Sequence, residues 1–432
     1  MSPVSDPALA EGFDLRHLPE GFIENPYPVY AALREHAPVH VMGRGPSGER
    51  QILLSRYADL ERVYKDAATF SSDKTVEFGA KFNGIKFNGT KFNSTGSRVA
   101  EEGTSPLYRH HTTSLVFNDP PRHTRVRRII AGALTPRAVA AMEAGIVALV
   151  DGLLAAAEAR GTIDLIEDFA AAIPVEVIGN LLGVPKPERG PLRDWSLAIL
   201  GALEPVLAPE VEAAGNRAVT EFLAYLDRLV ADRRRHPGDP DKDILTRLIQ
   251  GEVGGERLSP EELLQNCIFI LNAGHETTTN LIGNGLHLLD DHPDARARLL
   301  AEPDLMRKGV EEILRVESSN QLGNRVATTA FSIDGRDFPA GTQITLCIGA
   351  ANRDSSQFVD PDTFDVARDP NRHLAFASGI HQCVGMAVAR LEGRIALGRF
   401  LARFPDYRLD GAPVRSQRVR FRGFLRLPAR LG

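Results

Sequence analysis

The sequence predicts a mainly α fold with a small β portion, and three observations predict it. Apolar residues recur at helical spacing through most of the chain from Asp119 to Ser318. A capped helix start at Ser259 opens an apolar pattern that runs to about Leu289. Segments of β character are short and lie before Tyr57 or after Ser318. The 432 residues are 43% hydrophobic and 25% charged, enough apolar material for a large core. No Gly/Ser-rich or Pro-rich spacer divides them, so residues 1–432 read as a single large helical domain.

Taken in order, β-type segments are expected at Val39 to Met42 and Gln51 to Ser55, then a helix from Tyr57 to Lys65. From Lys81 to Ser94 a Lys-Phe-Asn unit recurs every five residues, a period that suits neither a helix face nor strand alternation, and it reads as an elaborated loop. Helices follow at Pro136 to Arg160, at Leu165 to Leu182 with a kink at Pro174, and at Pro209 to Arg235. Ser259-Pro260-Glu261-Glu262 then offers an N-cap, a proline at the first helical position and the glutamate of a capping box. At about 1.5 Å per residue the helix it opens spans roughly 45 Å and must cross the core. After Ser318, Arg325 to Ile333 and Thr342 to Ile348 flank the turn signal Asp334-Gly335, with a last β pair around Tyr407 to Leu409 and Arg418 to Leu427.

Several classes of function are excluded. Lys and Arg number 51 against 56 Asp and Glu, a net charge of -5, so no global basic field points to nucleic acid or an anionic membrane. Cys267, Cys347 and Cys383 lie far apart, which rules out a disulfide framework and a four-cysteine metal site and fits a cytoplasmic location. Met1 to Ile23 holds acids and prolines, so neither a signal peptide nor a membrane anchor is expected. The longest apolar stretch, Cys267 to Leu289, is broken by Asn272, His275, Glu276, Thr277 and Asn280, and reads as a buried helix.

The chemistry starts at Phe376-Ala377-Ser378-Gly379-Ile380-His381-Gln382-Cys383-Val384-Gly385, which leads into a helix from Met386 to Ala402. A cysteine at a loop-to-helix junction meets backbone N–H dipoles that favour thiolate, and flanking glycines let something flat approach the backbone. Inside the long helix, Ala273-Gly274-His275-Glu276-Thr277-Thr278 puts Ala273, Gly274 and Thr277 on one face. The Thr277 hydroxyl can bond back to the Ala273 carbonyl and open the helix locally.

Phe-x-x-Gly-x-His-x-Cys-x-Gly resembles the haem-binding signature of the cytochrome P450 superfamily, and further matches follow in that family's order over nearly the whole chain. The resemblance implies the cytochrome P450 fold, with the long central helix crossing over haem b and Cys383 as the axial thiolate ligand of the iron. Phe376 and Gly385 frame the ligand loop, and Ala273 and Gly274 lie against the cofactor. Thr277 is assigned to hydrogen bonding at the oxygen site and Glu276 to proton relay. His123 and Arg127, after Asp119-Pro120-Pro121, together with Arg325 and His381, match the positions that hold the haem propionates. Glu312 and Arg315 match the family's structural pair, a network that His373, ahead of Arg368, would complete. Two departures stand out: Ala377 occupies a usual glycine position, and Arg315 to Gln321 lacks the customary aromatic and proline.

The implied function is a monooxygenase inserting one atom of dioxygen into an apolar small molecule. A ferredoxin and ferredoxin reductase supply electrons, and the enzyme is a monomer without nucleic-acid or membrane partners. The alternatives are a peroxide-driven peroxygenase and a haem-thiolate sensor or carrier without turnover. Arg122, Arg125 and Arg128 are expected to form a solvent-facing surface for an acidic ferredoxin, and the Lys81 to Ser94 repeat is expected to roof the substrate pocket or to drape over the surface.

Overall fold

The computed structural model describes residues 5–45, 48–75, 77, 104–239, 243–251 and 256–432. The Lys81 to Ser94 repeat lies outside them. The long helix begins where its capping chemistry requires: the Ser259 hydroxyl accepts from the Glu262 amide at 3.1 Å, and the Glu262 carboxylate accepts from the Ser259 amide at 3.0 Å. It runs Pro260–Asp291, 32 residues, or about 48 Å at the usual rise. Against it pack the helices Ala172–Leu181, Leu192–Gly201, Pro209–Arg235, Met306–Val316 and Met386–Arg403.

Tyr57–Lys65 and Pro209–Arg235 form as expected. Pro136–Glu158 stops two residues before the expected Arg160, just ahead of Gly161 at φ 70°. The expected single helix from Leu165 to Leu182 is two elements. A π-helical turn, Leu165–Ala170, is capped by Asp164 and is followed by the α-helix Ala172–Leu181. Pro174 falls in that helix's first turn, where its missing N–H has no partner to lose, so the break precedes it. By length and composition Pro136–Glu158 could cross a membrane, a property the sequence reading passed over. Here Glu143, Asp151 and Glu158 lace it to Arg394, Arg399 and Arg403 of the Met386–Arg403 helix.

The main sheet has five strands in the order Val39–Arg44, Arg50–Leu54, Gln343–Cys347, Leu322–Ala327, Phe70–Ser71. Arg50–Leu54 and Gln343–Cys347 run parallel, and the other pairs antiparallel. Asp334 and Gly335 take φ 51° and 69° between Phe331–Ile333 and Arg336–Phe338, so the turn closes its own short hairpin. The two last segments do not pair with each other. Arg408–Leu409 pairs with Pro428–Arg430, and Phe424–Arg426 pairs with Val414–Arg415. The sheet brings Arg325, on Leu322–Ala327, toward the helix Arg122–Ala133 and the cysteine loop.

Candidate functional site: the Cys383 loop and the central helix

The loop carrying Cys383 is tied from within and from two neighbours. The Cys383 amide donates to the Phe376 carbonyl at 2.9 Å, and Gln382 to Gly379 at 3.1 Å. From the Arg122–Ala133 helix, Arg127 donates to the Gln382 carbonyl at 2.6 Å. Gly379 has φ 68°, and a Cβ there would lie 2.1 Å from the Tyr64 carbonyl oxygen, so glycine is required by conformation and by contact with the Tyr57–Lys65 helix. Ala377 also takes a left-handed φ, 55°, which costs an alanine about 1–2 kcal/mol and which glycine would hold without that cost. Phe376 lies under the Arg390 guanidinium, 4.9 Å from its ring centre.

Burial pushes the Cys383 thiol up, while the Gly385 and Met386 amides, Arg127 and Arg390 pull it down. The junction supplies the expected N–H groups, but burial outweighs them. A coordinated cation would complete the deprotonation.

Four bases meet beside this loop. His123 and His381 have ring centres 4.1 Å apart, and both sense the charges of Arg127 and Arg325. Burial, followed by Arg325, His123 and Arg127, pushes His381 down to about 2; burial and Arg127 bring His123 to about 4 against the pull of Asp119. Among the described residues, neither His123 nitrogen nor the buried His381 Nε2 has a hydrogen-bond partner. Asp119 is engaged elsewhere, accepting from the Ser71 hydroxyl and, at 2.9 Å, from the Ser72 amide. Buried polar atoms without partners among converging cations fit a ligand that brings carboxylates, as the two propionates of haem do.

On the central helix the Thr277 hydroxyl donates to the Ala273 carbonyl at 2.6 Å. Ala273 is exposed and Gly274 and Thr277 partly so, whereas His275, Glu276 and Thr278 are buried; the small-residue face is the open one. A Cβ on Gly274 would approach the Cδ1 tip of Ile178 to 2.7 Å, so a larger residue there would have to displace that side chain of the Ala172–Leu181 helix. Glu276 points away from Thr277. Its carboxylate accepts from Arg418 at 2.5 Å, and the same guanidinium donates to the Leu197 carbonyl at 2.9 Å. Burial raises Glu276 to about 7 in spite of Arg418.

Glu312 and Arg315 are fully buried and joined by two bonds of 2.8 Å; Arg315 also donates to the carbonyls of Asn352, Pro361 and Thr363. Arg368 completes this network, its Nε donating to Glu312 at 3.1 Å, with Asn371 at 3.0 Å. His373 does not. It pairs with Glu311 at 3.2 Å, one residue and about 100° round the helix, where Arg390 binds the same carboxylate at 2.8 and 2.7 Å. The expected basic surface is also corrected. Arg122 and Arg125 bind Glu262 at 3.2 and 2.5 Å, and Arg128 lies 3.6 Å from Glu256, so the acids around the start of the central helix neutralise it. Sequence reasoning missed Arg418, Glu311 and Arg390, whose partners are remote in the chain.

A glycine-framed cysteine loop beside two arginines and two histidines whose buried ring nitrogens have no partner among the described residues, in a fold crossed by one long helix with an open small-residue face, has the features of the haem-thiolate class of protein. The family model for cytochrome P450 matches residues 199–405. Cytochrome P450 107B1 of Saccharopolyspora erythraea is 36% identical over 425 residues, covering 97% of this chain and 98% of that protein. The monooxygenase PikC of Streptomyces venezuelae is 36% identical, covering 93% and 89%. Among solved structures, P450BioI in complex with hexadec-9Z-enoic acid ligated acyl carrier protein superposes with a TM-score of 0.84 at 31% identity, over 96% of this chain and all of that one. The chain belongs to the cytochrome P450 family, whose cofactor is haem. It is a monooxygenase, an oxidoreductase that incorporates oxygen into its substrate.

Proposed function

We propose that residues 1–432 work as one domain, a cytoplasmic monomer that hydroxylates or epoxidises an apolar small molecule with electrons from a separate ferredoxin and ferredoxin reductase. Haem b is the cofactor, with Cys383 as iron ligand and His123, Arg127, Arg325 and His381 at its propionates. The observation that carries this reading is the convergence of those four bases beside Cys383, with buried histidine nitrogens left free to meet carboxylates. When bound, the haem supplies dioxygen activation, which a thiolate ligand promotes by electron donation.

The chain's own residues then bind, orient and protonate. Arg390 stacks on the ring of Phe376, whose carbonyl accepts from the Cys383 amide and so fixes the cysteine within its loop. Thr277 holds a hydroxyl on the open face of the central helix, anchored to the Ala273 carbonyl. Glu276, raised to about 7, carries its proton near neutral pH and can release it without leaving its contact with Arg418. A titratable group so poised favours turnover over a sensor or carrier, and favours dioxygen over peroxide as oxidant.

NADH consumption with a surrogate ferredoxin and reductase tests this reading. Substrate-dependent consumption with oxygenated product supports it; consumption that no substrate alters leaves the sensor or carrier, and product from peroxide alone leaves the peroxygenase. A second substrate class, an acyl chain presented on a carrier protein, is favoured by the likeness to the P450BioI complex. Low- to high-spin shifts with free and carrier-bound acyl chains separate the two.

A further inference from the structure

We propose that the seam between the Leu192–Gly201 helix and the central helix conducts protons from the protein surface to Glu276 along water held by Arg193, His275 and Ser196, with His275 as the positioning residue. This rests on the reading of Glu276 as the proton relay and supplies the route by which that group is refilled.

His275 is 1% exposed, and among the described residues neither of its ring nitrogens has a partner. The same is true of the Ser196 hydroxyl and the Arg193 Nε. Arg193 and Ser196 are three residues apart on a helix that packs against the central one, so they share a face. Arg193 and Arg418 both act electrostatically on His275, so both guanidiniums lie near the imidazole.

The two ends of this path are defined. At the outer end Arg193 holds half-exposed Glu167 with bonds of 2.5 and 2.8 Å. At the inner end Arg418 joins the Glu276 carboxylate to the carbonyl of Leu197, the residue after Ser196. Buried polar atoms are nearly always hydrogen-bonded, and where side chains do not serve, water does. Four such atoms on three side chains lie on two packed helices that also carry a surface ion pair and a buried carboxylate, and water bridging them would link the two.

The charges suit the task. The groups facing His275 are Arg193 and Arg418, and Glu204 acts on Glu276 beside them. Burial and the two arginines bring His275 down to about 3, so its ring is neutral near pH 7, with one N–H to donate and one nitrogen to accept. Arg193 is balanced by Glu167, and Arg418 by Glu276 whenever that carboxylate is ionised, so the Arg418 charge favours release of the Glu276 proton and is met again once it leaves. At each hop one O–H bond forms as another breaks; one proton enters from bulk water and one comes to rest on Glu276, with no change in oxidation state.

The test is proton exchange at Glu276 in the full-length holoenzyme without turnover. After mixing into deuterated buffer at pH 6, below the Glu276 value, infrared absorption follows the carboxylic acid, its band identified by loss in Glu276→Gln. His275→Phe should slow exchange by about tenfold or more, and His275→Gln, which keeps a donor and an acceptor, should restore it to within about twofold. Ser196→Ala should slow it as well, and it decides the matter if His275→Phe does not fold. Haem absorption and the thermal midpoint should stay at wild-type values in His275→Gln and Ser196→Ala. Wild-type exchange in His275→Phe, or equal slowing in the Phe and Gln variants, overturns the proposal. Because the readout needs no electrons or substrate, such a result would leave the monooxygenase reading standing.

Discussion

Glu392 is a carboxyl the fold holds against its charge. It is 2% exposed on the Met386–Arg403 helix, its Oε2 has no partner among the described residues, and burial alone raises it to about 8. Its neutral form is the one the fold accepts. The stability this represents is fully present below about pH 4.5 and lost as pH rises to about 8, on the order of a few kcal/mol. Glu392→Gln should therefore match wild type at pH 5 and unfold at higher denaturant at pH 8, which urea titration at the two values measures. Glu311 behaves oppositely: burial raises it, but His373 and Arg390 bring it to about 2, so its contribution is present above pH 4.5 and lost on acidification toward 2. For the chemistry, Thr277→Ala should keep haem and substrate binding while diverting electrons to peroxide, and Glu276→Gln should slow turnover and flatten the pH profile near 7. Product and peroxide yields per NADH measure both. Unchanged yields in both variants would remove the relay assignment. Thr277 and its bond to Ala273 were legible in the sequence because both lie within one helical turn. The Arg418 partner of Glu276, 142 residues away, was not.

The ligand loop and the Glu312 network show what local pattern can and cannot predict for an element. Gly379 is fixed by φ and by the Tyr64 carbonyl, so Gly379→Ala should sharply reduce haem incorporation, read as the ratio of haem to protein absorbance. Ala377→Gly removes a left-handed alanine costing about 1–2 kcal/mol and adds glycine entropy of about 0.5–1, for a net gain of up to about 1.5 kcal/mol in unfolding free energy. In the buried network, Arg315→Ala leaves Glu312 with only Arg368 as a cationic partner and should cost about 3 kcal/mol or more. Arg368→Ala should weaken the same network, and His373→Ala should leave it unaffected. The i, i+3 spacing of Glu312 and Arg315 predicted their pairing. It could not say which later loop residue would reach Glu312, because one position along the helix decides whether a partner meets Glu311 or Glu312. The Ser259 capping box was readable for the same reason the pair was: all of its atoms lie within four residues.

At the scale of the whole molecule, charge patterning misled where helix patterning did not. Arg122, Arg125 and Arg128 sit on the face opposite His123 and Arg127, as about 100° per residue requires, but that face meets the start of the central helix. Arg125→Glu should lower the thermal midpoint by setting two carboxylates against each other at Glu262, and is not expected to change ferredoxin reduction through a lost docking charge. The mainly α class and the central helix followed from periodicity and capping, whereas the order of the sheet depended on pairings between strands nearly three hundred residues apart.

The account rests on Cys383 ligating haem iron as a thiolate beside the four bases, and the carbon monoxide difference spectrum of the reduced protein tests it most directly. A Soret band at the long-wavelength position of thiolate-ligated haem, lost in Cys383→His, is the expected result. A band at the imidazole-type position in freshly reduced, undamaged protein would contradict it.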